Sequence, residues 1–251
     1  MSASPILATR DLGLVIGGAT IVAGVELEVL DGELLAVIGP NGAGKTTLFN
    51  LVSGLLRPTS GRVELDGHDV TREAPFRRTR RGLGRTFQVS NVFPLLSAHE
   101  NVRLAAEAAL GGTMRIWRQA TRYREAVDRA HWALGRVGLE GRGPVPAGLL
   151  SHGDKRKLEL AMVLAGHSRV IMLDEPMAGV SMEDVPELVE LIRSVHGEGK
   201  TVLMVEHHME VVTGLAQRIA VLHHGSLLAV DTPDAIMRNQ TVQQAYLGEP
   251  L

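Results

Sequence analysis

Short apolar runs and helical repeats of apolar residues alternate along this chain. The run Leu34 to Ile38 has no polar member and stops at Gly39, as expected of a short strand buried on both faces. After a glycine-rich stretch, apolar residues recur at helical spacing: Leu48, Leu51, Val52 and Leu55. Gly54, near the end of this pattern, is a plausible C-cap of the helix. The pattern therefore predicts a strand, a glycine loop and a helix in succession.

Three later apolar runs predict further buried strands, at residues 170–173, 201–205 and 219–222. The segment between the first two has a helical apolar face that follows Ser181 and Asp184, a spacing typical of a capping box. Strands and helices that alternate in this way form parallel sheets with helices packed on them. We therefore predict an α/β fold with a largely parallel sheet.

The rest of the chain departs from this alternation. Residues 90–165 have a helical and more highly charged pattern, broken by a Gly/Pro-rich stretch at 138–148, which predicts a helical insertion. Residues 6–29 contain short apolar runs and glycines that predict antiparallel strands. We expect one domain over residues 1–251, with a core and β subdomain at 1–89 and 166–225, a helical subdomain at 90–165 and a small appendage of turn and helix at 226–251.

Composition narrows the class of protein. The chain has 251 residues with 26 basic and 28 acidic side chains, and this near balance argues against a surface built for nucleic acid. It has no cysteine, which excludes a disulfide framework. Stretches without Asp, Glu, Lys or Arg reach at most 14 residues, as at residues 12–25, which is shorter than the roughly 20 apolar residues of a membrane-spanning helix. We therefore expect no membrane span. The first ten residues lack a cationic start followed by an apolar core and cleavage site, so we expect no secretory signal either.

The glycine loop carries a phosphate-binding motif. Residues 39–46, Gly-Pro-Asn-Gly-Ala-Gly-Lys-Thr, match the pattern G-x-x-x-x-G-K-[ST] at the predicted strand-to-helix turn, and Lys45 is the only lysine before position 155. Glycines let backbone N–H groups surround phosphate oxygens, the lysine reaches the β and γ phosphates, and the Thr46 hydroxyl binds Mg²⁺. The predicted nucleotide-binding residues here are Gly39, Pro40, Asn41, Gly42, Ala43, Gly44, Lys45, Thr46 and Thr47.

Two acidic residues, Asp174 and Glu175, follow the predicted strand at 170–173. Taken alone, a carboxylate pair at this place is also consistent with a simple polar end of a strand. Downstream of a phosphate loop, however, it fits the Mg²⁺-dependent hydrolysis of a nucleotide. We expect Asp174 to hold the metal through its water and Glu175 to polarise the attacking water.

A third motif separates among nucleotide hydrolases. The residues Leu150-Ser151-His152-Gly153-Asp154 precede a predicted amphipathic helix, and in isolation Ser151 would be an ordinary helix N-cap. In sequence order with the other two motifs, the segment resembles the signature of ABC proteins, commonly Leu-Ser-Gly-Gly-Gln, and departs from it at His152 and Asp154. The resemblance implies that Ser151 and Gly153 form a second anion-binding helix end, which closes the ATP site of a partner in a head-to-tail dimer.

The same resemblance assigns further positions. Gln88 is similar to the glutamine that reaches Mg²⁺ and the attacking water. In the family this glutamine lies where the ATPase contacts its membrane partner. Without the resemblance, a single glutamine before a helical segment would indicate no function. His207 is similar to the switch histidine that contacts the γ-phosphate; its alternatives are a surface histidine pair or a metal site, for which spacing supplies no third ligand. Ile16 occupies the place of an aromatic residue that stacks on adenine, which leaves only an apolar contact. Ser181 replaces the aspartate that is common at the end of the loop after Glu175.

One ABC subgroup resembles the chain best. The chain is similar to ATP-binding subunits of branched-chain amino acid importers and of their urea and amide relatives at residues 39–48, 84–88, 149–159, 176–179 and 245–248. The Ser-His-Gly-Asp-Lys signature and the Ala-Gly loop lean toward the urea branch. The resemblance implies a P-loop NTPase ABC cassette, with a RecA-like core, an antiparallel β subdomain and an inserted α-helical subdomain. It also implies an ATPase with ATP and Mg²⁺ as cofactors.

Partners and location follow from the resemblance as well. It implies a second, paralogous ATP-binding subunit, two transmembrane permease subunits and, indirectly, an extracytoplasmic solute-binding protein, with no nucleic acid. The expected location is peripheral, on the cytoplasmic face of the cell membrane. The sequence does not encode the transported solute, because such a subunit would not touch it.

The alternative is a soluble ABC ATPase that acts on nucleic acid or ribosomes. Members that act on DNA separate these motifs with long coiled coils, and members that act in translation usually carry two cassettes; this chain has room for neither. A kinase with the same phosphate loop leaves the signature and His207 unexplained. One run of arginines would suit nucleic acid, although such runs more often form a solvated face or a protein-docking surface: Arg77, Arg78, Arg80, Arg81 and Arg85.

Overall fold

In this computed structural model the described residues are 5–86, 92–111 and 116–247. The strands are β1 (Pro5–Ile16), β2 (Ala19–Leu30), β3 (Leu34–Ile38), β4 (Ser60–Leu65), β5 (His68–Asp69), β6 (Leu83–Arg85), β7 (Val170–Asp174), β8 (Thr201–Val205), β9 (Arg218–His223) and β10 (Ser226–Asp231). The helices are α1 (Lys45–Ser53), α2 (Pro75–Arg80), α3 (Ala98–Leu110), α4 (Ile116–Arg136), α5 (His152–Ala165), α6 (Val185–Gly197), α7 (Met209–Leu215), α8 (Pro233–Arg238) and α9 (Gln240–Leu247).

Within the described residues, the main sheet has six strands in the order β10-β9-β3-β8-β7-β6, and all neighbours except β10 and β9 are parallel. Strands β3, β7 and β8 are buried along their whole length. Alternate residues of β3 enter different apolar clusters, Leu35 and Val37 on one face and Leu34, Ala36 and Ile38 on the other. Because both faces are covered, these strands are uninterrupted apolar runs, and the predicted α/β fold is confirmed.

A second sheet is antiparallel, in the order β2-β1-β4-β5. Strands β1 and β2 confirm the antiparallel strands predicted for residues 6–29. Strands β4 and β5 escaped the sequence analysis because they contain no apolar run. Helix α1 packs into an apolar cluster that includes side chains of both sheets, with Leu48, Phe49 and Val52 fully buried there. The helix that follows the phosphate loop is therefore held from two sides.

Helices α3, α4 and α5 pack against one another and, with α6, contribute to the apolar cluster on the other face of the main sheet. The helical pattern expected over residues 90–165 is confirmed where the chain is described. The break at 138–148 contains two short 3-10 turns, Glu140–Arg142 and Ala147–Leu149. The division of the chain into subdomains stays a prediction. Of the helices in the described ranges, none combines the length and the apolar character that a membrane span requires.

Two expectations need correction. Residues 226–231 are not part of an appendage, because they form strand β10 and pair with β9 along the edge of the main sheet. Residues 227–230 are an apolar run, but as part of an edge strand they are only half-buried, and the sequence analysis did not assign them to a strand. The Ser181 hydroxyl does accept the N–H of Asp184, at 3.3 Å, but this bond closes a turn and the regular helix starts at Val185, with Pro186 in its first turn.

Candidate active site

The phosphate loop is held by close backbone contacts at the end of β3. A Cβ atom at Gly39 would lie 2.1 Å from the carbonyl oxygen of Leu222, so only glycine fits there. The Gly225 N–H donates to the carbonyl of Ala43 at 3.0 Å, which joins the loop to the turn between β9 and β10. Gly44 precedes α1 with a φ of 97°, a left-handed conformation that glycine adopts without strain. The sequence motif thus forms one tight strand-to-helix turn.

Lys45 lies inside this turn. Its Nζ atom donates to the carbonyl oxygens of Gly39 at 2.6 Å and Pro40 at 3.0 Å, and its side chain is buried. Burial lowers the pKa of the Lys45 ammonium, and the nearby carboxylates of Glu175 and Asp174 oppose that shift. An ammonium group beside the N-terminus of a helix is a donor set that suits the oxygens of a phosphate chain.

The start of α1 offers hydroxyl groups as well. Thr46 is exposed, Thr47 is half-buried, and the first turn of the helix has no acidic residue. The positive end of the helix is therefore not neutralised from within its own first turn. Asn41 and Gly42 form the exposed outer part of the loop, whereas Ala43 is buried beneath it.

Asp174 ends β7 and is 1% exposed. Its Oδ2 atom accepts a hydrogen bond from Arg85 Nη2 at 2.8 Å, whereas Oδ1 has no hydrogen-bond partner among the described residues. Burial raises the pKa of the Asp174 carboxyl, and the Arg85 guanidinium opposes the shift. A buried carboxylate oxygen without a partner suits a hard divalent cation or one of its waters. The residues present therefore fit a Mg²⁺ site.

Glu175 has a strained backbone and a paired side chain. Its φ is +50°, a conformation that costs a residue other than glycine about 1–3 kcal/mol and that is concentrated at functional sites. The Glu175 N–H donates to the carbonyl of Val205 at 2.9 Å, and Oε1 lies 2.9 Å from Nε2 of His207. Strands β7 and β8 pair with Asp174 opposite Val205, and this register brings the two side chains together.

Glu206 is a site residue that the sequence analysis did not identify. It is 1% exposed, and Oε2 accepts the N–H of Met177 at 3.3 Å. Its Oε1 atom accepts the N–H of His207 at 3.1 Å and lies 2.6 Å from Nδ1 of His208. One buried carboxylate therefore connects the loop after Glu175 to the loop that carries His207. Only its place directly after an apolar strand could have singled it out.

The arginine run is not one surface. Arg78 and Arg85 are buried, while Arg77, Arg80 and Arg81 are exposed. The expectation of a single solvated or docking face is therefore wrong, because two of the five guanidinium groups bond inside the fold.

Ser151 and Gly153 lie at the start of α5, on a different element from Lys45, Asp174 and His207. The Ser151 hydroxyl accepts the N–H of Asp154 at 3.0 Å, which is an ordinary N-cap. The structure of one chain thus brings Lys45, Asp174, Glu175 and His207 together, but leaves Ser151 and Gly153 on a separate helix.

Two predicted residues remain apart from this group. Ile16 ends β1 at the hairpin with β2 and is 55% exposed, opposite Ala19 and next to two glycines. It offers an apolar surface without a ring. Gln88 lies outside the described residues.

Comparison with known proteins decides the family. The family described as "ABC transporter" matches residues 22–178, more than half of the chain. The chain belongs to this family. A second family, described as "Branched-chain amino acid ATP-binding cassette transporter", matches residues 226–250 of this ABC ATPase.

Curated relatives match over nearly the whole length. The ABC ATPase is 37% identical to the high-affinity branched-chain amino acid transport ATP-binding protein BraF of Pseudomonas aeruginosa, over 98% of each chain. It is 37% identical to LivG of Salmonella typhimurium, over 98% of each chain, and 36% identical to LivG of Escherichia coli K12, again over 98% of each. These relatives are transport proteins, and they support the transport interpretation rather than the nucleic-acid alternative.

Solved structures share the fold. The ADP conformation of MJ1267, an ATP-binding cassette of an ABC transporter, superposes with a TM-score of 0.85 at 26% identity, covering 98% of this chain and 100% of that one. A nucleotide-free ATP-binding cassette gives a TM-score of 0.84 at 24% identity, with coverages of 98% and 100%. The predicted P-loop NTPase cassette fold is confirmed, and the protein is an ATP-binding, ATP-hydrolysing subunit of the ABC class.

Proposed function

We propose that this ABC ATPase powers an importer of branched-chain amino acids or of related small polar solutes such as urea and amides. The observation that carries the hydrolytic part is the 2.9 Å contact between Glu175 Oε1 and His207 Nε2, at the sheet edge where Lys45 and Asp174 also lie. The solute class is supported by the printed function of BraF and LivG and by the C-terminal family match. The signature sequence favours the urea branch within that class.

Each site residue has a proposed task. The loop from Gly39 to Thr47 and the Lys45 ammonium bind the phosphate chain of ATP, and Ile16 provides an apolar contact for adenine. Glu175 accepts a proton from the attacking water and orients it, and His207 holds the Glu175 carboxylate and approaches the γ-phosphate. Phosphoryl transfer needs little covalent help, so positioning and charge stabilisation account for the catalysis.

Mg²⁺ is the proposed metal cofactor. Thr46, Asp174 and Gln88 would hold it, and the Oδ1 atom of Asp174, which has no hydrogen-bond partner among the described residues, supports this assignment. When bound, the ion neutralises charge on the β- and γ-phosphate oxygens.

The proposed assembly explains why the signature lies on its own helix. Ser151 and Gly153 of one subunit would face the ATP of a second, paralogous subunit in a head-to-tail dimer. Related cassettes have been solved as dimers, with a TM-score of 0.76 to this chain at 26% identity. We further propose that the pair binds two permeases at the cytoplasmic face of the membrane, fed by an extracytoplasmic binding protein.

The test is reconstituted transport. The chain would be co-purified with the permeases and the second ATPase encoded beside its gene and placed in proteoliposomes with the matching binding protein. We expect ATP-dependent uptake of radiolabelled leucine or urea, lost in the Glu175→Gln variant. ATP hydrolysis that is not stimulated by any solute-loaded binding protein of this class would contradict the importer function.

A further inference from the structure

Arg85 occupies a central place in the site, although the sequence pattern gives this residue no role there. It is the last residue of β6, its side chain is only 7% exposed, and β6 pairs with β7 so that Arg85 lies opposite Met172. An arginine this deeply buried needs hydrogen bonds from its guanidinium, because these bonds offset the free-energy cost of removing the charge from water.

The guanidinium bonds to two other elements at once. Its Nη1 atom donates to Asn50 Oδ1 at 2.8 Å and to Ser53 Oγ at 2.7 Å, both on α1. Its Nη2 atom donates to Asp174 Oδ2 at 2.8 Å, at the end of β7. The planar fork of arginine fixes the angle between these bonds, which a lysine ammonium cannot do.

This geometry sets the direction of the Asp174 carboxylate. With Oδ2 bonded to Arg85, rotation of the carboxylate is restricted, and Oδ1 is the oxygen left for a ligand. The other end of the fork holds α1, whose first turn carries Lys45 and Thr46. Arg85 therefore fixes the two sides of the proposed metal site relative to each other.

We propose that Arg85 is a positioning residue for Mg²⁺-dependent nucleotide binding, acting by holding Asp174 and α1 in one fixed arrangement. This inference rests on the proposed function, since it assumes that Asp174 and Thr46 bind the metal. A buried ion pair can also serve stability alone, and the experiment must separate the two roles.

The chain offers a matched control in Arg78. This residue is 1% exposed, and its guanidinium donates to the carbonyls of Leu51 at 2.8 Å and Val52 at 2.5 Å at the end of α1. Its described hydrogen bonds all go to backbone carbonyls, none to Asp174. Loss of Arg78 therefore weakens the same helix without releasing the carboxylate.

The test compares Arg85→Met, Arg85→Lys and Arg78→Met, each in a Glu175→Gln background that suppresses hydrolysis. Equilibrium binding of a fluorescent ATP analogue would be measured with Mg²⁺ and with EDTA, together with the melting temperature. In EDTA, we expect the affinity of Arg85→Met for the analogue to lie within about twofold of the parent's affinity. The increase in affinity that Mg²⁺ causes, here called the Mg²⁺-dependent gain, should be at least tenfold smaller in Arg85→Met than in the parent. Arg85→Lys should recover part of that gain, and Arg78→Met should lower the melting temperature while keeping the gain.

Four results would contradict the inference. If Arg85→Met keeps the full Mg²⁺-dependent gain, or if Arg78→Met loses it equally, Arg85 acts only on stability. If the parent itself shows no Mg²⁺-dependent gain, the proposed metal site fails and the inference fails with it. Should Arg85→Met not fold, Asn50→Ala combined with Ser53→Ala removes the acceptors on α1 and leaves the ion pair, and an unchanged gain in that variant would contradict the proposed link to α1.

Discussion

His207 Nε2 lies 2.9 Å from Glu175 Oε1, although the two residues are 32 positions apart in the chain. The contact exists because β7 and β8 are parallel neighbours whose carboxyl ends meet at one sheet edge. The same edge receives the phosphate loop from β3, the next strand in the sheet. Ligand sites of open parallel sheets lie at this edge, and the residues that we propose for hydrolysis lie there too.

Removal of the His207 side chain should slow hydrolysis. His207→Ala removes the imidazole contact that helps to orient Glu175, and we expect kcat to fall by roughly 10²-fold because a misplaced general base loses most of its effect. His208→Ala is the matched control, since His208 contacts Glu206 and is more exposed. Steady-state phosphate release measures both, and equal losses in the two variants would contradict a specific role for His207.

Glu175→Gln should separate ATP binding from hydrolysis. The amide keeps the shape of the side chain but cannot accept a proton, so we expect kcat to fall by about 10²–10⁴-fold while ATP binding persists. With hydrolysis blocked, the closed dimer should accumulate in ATP and elute earlier in size-exclusion chromatography. Unimpaired hydrolysis in this variant would refute the role proposed for Glu175.

Ile16 should make the nucleotide site less selective among purines. An exposed isoleucine contributes apolar contact but no ring stacking, so we expect ATP and GTP to bind with similar affinity. Ile16→Tyr should favour ATP by roughly 2–10-fold, the equivalent of about 0.5–1.5 kcal/mol of stacking. Competition binding with a fluorescent ATP analogue measures this, and a clear ATP preference in the unaltered protein would disprove the prediction.

Two glycine substitutions should have opposite effects on stability. Gly39→Ala places a Cβ atom 2.1 Å from the Leu222 carbonyl oxygen, and we expect a loss of more than about 2 kcal/mol in the free energy of unfolding. Gly135→Ala lies on α4, where no described atom outside the local helix backbone is within 4 Å of the added carbon, and should gain up to about 1 kcal/mol from helix propensity. Urea denaturation measures the free energy of unfolding of both variants. An unchanged value in Gly39→Ala would mean that the loop can move away from β9.

Stability should fall with acidification partly through His99. Burial lowers the pKa of the His99 imidazole, the charge on His131 adds to the shift, and Glu100 opposes it. The unfolded chain therefore takes up this proton at a higher pH than the folded protein does, so its contribution to stability is present above about pH 6.5 and declines below it.

The His99→Gln variant should flatten the pH dependence of the melting temperature between pH 7 and pH 5. His68→Gln, which replaces an exposed histidine on β5, is the control for the loss of a histidine side chain as such. An equal slope in the unaltered protein and His99→Gln would show that other groups dominate acid sensitivity.

Some site residues could be predicted because their chemistry depends on near neighbours. The loop from Gly39 to Lys45 needs its residues in consecutive positions, and Asp174 and Glu175 directly follow an apolar strand, so the motif and the structural role coincide. Arg85 and Glu206 could not be found in this way. Each acts through residues far along the chain, Arg85 through Asp174 and Glu206 through Met177. The sequence around a charged residue at the end of a strand does not indicate which distant residue it contacts.

The sequence by itself determined the α/β class, the inner strands and the phosphate loop, because burial on both sheet faces and a tight glycine turn both leave local patterns. The tertiary structure decided which strands are neighbours, and with that the contact between Glu175 and His207 and the burial of Arg85 and Glu206. It also decided that residues 226–231 join the main sheet as an antiparallel edge strand, because the partner of an edge strand is set by backbone pairing with β9, which an apolar run does not specify. Pairing between distant segments is set by the packing of the whole chain, and no single segment encodes it.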